Sequence, residues 1–166
     1  MTAVLKQKME ELIRTNNRQD MKRLYQQANL TEFRHHKKEL QYFIQYLPIA
    51  LDELRVTFSR FSGDKRLPPP LFDVHECILS YVHYDDDHFS LNHYGFWGYL
   101  DDAYLTGLLV QKVDSLLLNH TQAERLRLSM WLDVTRRTIP QQTALLDELF
   151  IGLLTKQYDR FHQVFA

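Results

Sequence analysis

Apolar residues recur every three to four positions along most of this chain, the spacing of one face of an α-helix. Val4, Leu5, Met9, Leu12 and Ile13 predict a first helix, interrupted at Asn16-Asn17. Met21, Leu24 and Tyr25 predict a second, ending near Asn29. Thr31 is the expected N-cap of a third helix carrying Phe33, Leu40, Phe43, Ile44 and Leu47. Pro48 either kinks that helix or starts a new one, and Leu51, Leu54, Phe58 and Phe61 continue its apolar face.

Ser62–Pro70, SGDKRLPPP, reads as a loop. Gly63-Asp64 breaks the helix, and three consecutive prolines favour an extended polyproline segment. The stretch before it is short for an independent core, so the loop reads as a hinge within a single domain over residues 1–166. Beyond it a helix is expected from Leu71 to Val82, then an acidic-aromatic loop, then a long helix from Tyr99 to Leu118. Thr121-x-x-Glu124 and Thr138-x-x-Gln141 both fit capping boxes, with Pro140 tolerated in a first turn. The last predicted helix carries Leu145, Leu146, Leu149, Phe150, Leu153, Leu154, Tyr158 and Phe161. No strand-like alternation competes. The expected fold is an all-α, single-domain bundle of seven or eight helices with the Leu71–Leu118 hairpin near its centre.

Composition narrows the classes of function. The net charge of −1 gives no overall basic field for nucleic acid, so that partner is not expected. Local basic stretches stand at Arg34–Lys38, RHHKK, and at Arg125, Arg127, Arg136 and Arg137. Cys77 is the single cysteine, so no disulfide forms within the chain. With no apolar signal core at the start and no run long enough to span a bilayer, a cytoplasmic location is expected.

The densest chemistry lies between Tyr81 and Asp102, where 22 residues hold five aspartates, three histidines and seven aromatics. Asp87, His88, His93, Asp101 and Asp102 are candidate ligands for a divalent metal, since carboxylate oxygens and imidazoles suit such ions. The alternative is structural: Asp101 and Asp102 fall in a first helical turn, where carboxylates favour the positive dipole end. His75 and His83 lie eight residues apart, over two helical turns, too far for one ion to join directly. Tyr81, Tyr84, Trp97 and Tyr104 either plug the core or line a partner or ligand surface. Ile151 widens the apolar stripe of the last helix, which suggests a homodimer or a partner helix.

The segment ILSYV…DHFSLNHYGFWGYLDDAYLTGLLV resembles the signature of the YkvA-like family, a domain of unknown function. Tyr81 takes the family's tyrosine position and Asp87 its loop aspartate. Asn92 stands where a second aspartate falls, and Gly98-Tyr99-Leu100-Asp101-Asp102 matches the closing motif. The likeness spans about 30 of 166 residues and implies a helical hairpin whose acids fix the connecting turn. Three functions are consistent with the chain. The first is a non-enzymatic cytosolic interaction or regulatory module, with no cofactor, acting through a protein partner or homodimer. The second is a metal-dependent hydrolase using the Asp/His cluster. The third is a small-ligand sensor with an aromatic pocket.

Overall fold

The computed structural model describes residues 2–15, 18–83, 94–115 and 117–155. Among them are seven α-helices and no strand: α1 Thr2–Arg14, α2 Arg18–Gln27, α3 Leu30–Arg60, α4 Pro69–His83, α5 Leu100–Asp114, α6 Gln122–Thr138 and α7 Pro140–Leu154. A 3₁₀ helix, Gly95–Tyr99, leads into α5. The all-α bundle expected from periodicity is the fold observed.

Helix α5 is the axle. It packs on α3, α4, α6 and α7, and residues 100–110 are buried without a break. A helix apolar on every side belongs at a centre, since no face of it needs water. Gly107 allows the closest approach. A Cβ there would meet Leu132 Cδ2 at 3.1 Å, Phe43 Cζ at 3.2 Å and Leu128 Cδ1 at 3.3 Å. Buried residues from both sides of the 62–68 loop join one apolar cluster.

Helix α3 runs unbroken through Pro48. An interior proline costs a helix ~3 kcal/mol. Burying two large aliphatic or aromatic side chains offsets that, at ~1.5–3 kcal/mol each. Phe43, Ile44, Leu47, Leu51 and Leu54 flank the proline and are all buried.

Several ends differ from the sequence reading. Asn29, not Thr31, caps α3: its side chain accepts from the Glu32 N–H at 3.3 Å. The Asn29 N–H donates to the Thr138 carbonyl at 2.7 Å, pinning the α2–α3 turn to the end of α6. Pro69 and Pro70 begin α4 instead of extending the loop, because a first helical turn needs no proline N–H. The Thr121–Glu124 capping box forms on α6. The Thr138–Gln141 box does not: Ile139 occupies the N-cap of α7, and the Thr138 hydroxyl donates back to the Val134 carbonyl at 2.8 Å.

Candidate functional site

The Tyr81–Asp102 region is only partly within the described residues. Tyr84, Asp87, His88 and His93 lie outside them. Of the candidate ligands, Asp101 and Asp102 are described, and both are buried. The Asp101 carboxylate accepts the Tyr81 hydroxyl at 2.5 Å on one oxygen and the Asp102 N–H at 2.9 Å on the other. One oxygen thus takes a first-turn N–H of α5, and the other ties α5 to the end of α4. Among the described residues no three His, Cys, Asp or Glu side chains converge as metal ligands.

Of the two readings of the aromatics, the described ones follow the core plug. Tyr81, Trp97 and Tyr104 are buried, so none presents a ring to a partner. Trp97 meets Phe33 edge-on at 4.9 Å and Phe96 at 5.3 Å, so the GFWGY turn plugs the bundle. Burying so much aromatic surface outweighs presenting it, at ~150–250 Å² per ring. The Tyr104 hydroxyl donates to Asp147 at 2.5 Å and accepts from Arg136 Nε at 2.8 Å, joining α5, α6 and α7. Burial, then Asp147, pushes that phenol well above its usual range. Ile151, by contrast, is 60% exposed on the outer face of α7.

Other reactive side chains are muted. His75 stacks flat on Phe58 at 4.4 Å, and burial lowers its pKa, with Glu76 partly opposing. Burial raises the Cys77 thiol, and Asp73 and Glu76 raise it further, which disfavours the nucleophilic thiolate.

Sequence reasoning missed a charged junction. His120 sits between two carboxylates from different helices: its Nε2 contacts Glu53 of α3, and its Nδ1 lies 3.5 Å from Asp114 of α5. Arg125 Nε donates to the other Asp114 oxygen at 2.7 Å. The junction links α3, α5, α6 and the turn before α6 through charged side chains. No local motif announces it, because Glu53 lies 67 residues from His120.

A second missed feature is on the outside of α3. Tyr42, Ile49 and Val56 are 45%, 62% and 53% exposed. They stand seven residues apart, so they share one solvent-facing stripe ~21 Å long. Beside it runs an open groove of ≈ 500 Å³ between α3 and α6, walled by Tyr42, Tyr46, Ile49, Arg127 and Trp131. Its wall is rigid. Trp131 stacks on Phe43 at 5.4 Å and donates its indole N–H to Glu39 at 3.0 Å. Tyr46 stays a neutral phenol, because burial foremost and then Glu53, Glu124 and Asp114 push its pKa up. The signal was present in the sequence as a third apolar series on α3, offset from the inward Phe33–Leu40–Phe43–Leu47 face.

No protein-family model, curated protein or solved structure matches the chain. No described helix is long and apolar enough to cross a membrane.

Proposed function

We propose that this chain is a non-enzymatic helical interaction module whose docking surface is the outer face of α3 and the groove beside α6. The observation that carries the reading is the Tyr42–Ile49–Val56 stripe, three large apolar side chains exposed at heptad spacing on one helix. Single exposed apolar residues are ordinary, whereas an ordered row along a groove is the footprint of helix-in-groove recognition. The buried chemistry supports the same reading: Asp101, Tyr104 and His120 are each committed to ties between helices. The single cysteine, half-buried with a raised thiol pKa, suits a reducing cytosolic setting. A metal-hydrolase role needs Asp87, His88 and His93 brought to Asp101, one of whose oxygens already holds Tyr81. The likeness of Gly98–Asp102 to the YkvA-like motif fits a hairpin braced by its acids, with Tyr81 and Asp101 as the brace.

Site-specific photo-crosslinking in cells that make the protein tests this. A benzoylphenylalanine at position 49 should give a discrete adduct, and the same residue at Lys65 should not. Absence of any adduct from position 49 refutes the docking surface.

A further inference from the structure

The occupant of this groove can be narrowed by charge, given the docking surface just proposed. The net charge of the chain is −1, yet the first turns of α3 hold Arg34, His35, His36, Lys37 and Lys38 in a row. Arg34, His35, Lys37 and Lys38 are exposed. The acids at this end already have partners: Glu32 pairs with His36 at 3.4 Å and Arg137 at 3.7 Å, and Glu39, in the groove wall, accepts the Trp131 indole. Among the described residues no carboxylate pairs with Arg34, Lys37 or Lys38; Arg34 lies over the Tyr25 ring and Lys38 over the Tyr42 ring, each at 5.9 Å. Lys38 therefore joins the basic end directly to the top of the apolar stripe. At the lower end the charge is mixed, with Asp52 and Arg55 3.9 Å apart and Arg60 over the Phe61 ring.

We infer that the groove takes an amphipathic helix of a different protein. Its apolar side lies along Tyr42, Ile49 and Val56, and its acidic end lies over Lys38, His35 and Arg34, the members of the basic row on the stripe's side of the helix. A second copy of this chain fits poorly. Parallel pairing of two α3 helices stacks RHHKK on RHHKK, and antiparallel pairing centred on Ile49 brings Lys38 opposite Arg60. Like charges set face to face across an interface disfavour both arrangements. The seven-residue spacing also sets the geometry. A straight α-helix drifts ~20° per heptad, so a partner that follows the stripe wraps left-handed, crossing α3 at roughly +20°. The denser positive charge at the Arg34–Lys38 end fixes the direction in which the partner lies.

The test is to identify the segment captured by the full chain with the crosslinker at position 49, and to repeat the capture with Arg34→Glu/Lys38→Glu. The expected adduct maps to an acid-rich, helically patterned segment of another protein. Charge reversal should lower its yield at least ~10-fold, since each 1.4 kcal/mol of lost affinity is a factor of ten. Circular dichroism of the reversed variant should match wild type, because Arg34 and Lys38 are both exposed. An adduct with a second copy, with nucleic acid, or with a neutral or basic segment overturns the inference and leaves a docking surface at α3. An acidic adduct whose yield is unchanged by reversal overturns it equally. No adduct at all removes the docking surface and this inference together.

Discussion

The Tyr81 hydroxyl donates to Asp101 across 20 residues of sequence, at 2.5 Å and with both side chains buried. This bond joins the last turns of α4 to the first turn of α5 and so holds the central hairpin closed. Tyr81→Phe keeps the ring and removes one donor from a buried carboxylate, which costs ~1–3 kcal/mol. Urea unfolding followed by circular dichroism should show the loss. Asp101→Asn, which still accepts a hydrogen bond, should cost less than Asp101→Ala. Equal stability for all three variants contradicts a bracing role.

Gly107 sets the distance between α5 and its neighbours, α3 and α6. Its Cβ position is already within 3.1–3.3 Å of Leu132, Phe43 and Leu128, so valine there drives two further methyl groups into a packed core. Overpacking costs ~1–3 kcal/mol or more. Any helix-propensity gain over glycine is at most ~1 kcal/mol. Gly107→Val should therefore melt several degrees below wild type, and a melting temperature at or above wild type would show that the core yields there.

The fold was legible because helical period three to four dominates, and α5 declared its central place by lacking a polar face. Helix ends were less legible. Asn29 and Thr31 are both good caps; the Asn29 side chain takes the Glu32 N–H, and its backbone N–H is held by Thr138, 109 positions away by number, a contact no local pattern announces. Thr138 has the residue types of a capping box, but Pro140 starts α7 one residue later than that box requires. At the site, Trp97 and Tyr104 read first as a core plug, with a partner surface as the alternative, and packing puts them and Tyr81 in the core. Tyr42, Ile49 and Val56 were hidden among the many apolar residues of a helix that also has a wide buried face.

Buried His75 makes stability depend on pH. Its folded pKa lies below the ordinary 6.5, chiefly through burial against Phe58. In the unfolded chain the imidazole takes a proton below about pH 6.5, whereas in the folded protein it resists until lower pH. This contribution is fully present above pH 6.5 and is lost as pH falls toward the folded value. Melting temperatures from pH 7.5 to 5.5 should decline, and His75→Phe should flatten that decline. An identical slope in the variant would locate the proton uptake elsewhere.

The Asp114–Arg125 contact is short, at 2.7 Å, yet Arg125 is half exposed while Asp114 is buried. Exposure of one partner limits such a pair to ~0.2–1 kcal/mol in a double-mutant cycle. Asp114→Ala removes contacts to both Arg125 and His120 and should cost clearly more than Arg125→Ala. Chemical denaturation of the two singles and the double gives both numbers. A coupling well above that range would make the contact a buried-type ion pair.

The central claim is that partners dock on α3, and the outer face of α7 offers the sharpest control, because Ile49 and Ile151 are exposed to nearly the same degree, 62% and 60%. The deciding measurement is the mass of the native complex recovered with the full chain, compared among wild type, Ile49→Glu and Ile151→Glu. Both variants should melt like wild type, since an exposed substitution of this kind changes stability by ~0.5 kcal/mol or less. Ile49→Glu should be recovered as free chain, while Ile151→Glu should keep the complex. Loss of the complex with Ile151→Glu and its retention with Ile49→Glu would contradict the account and move the docking surface to α7.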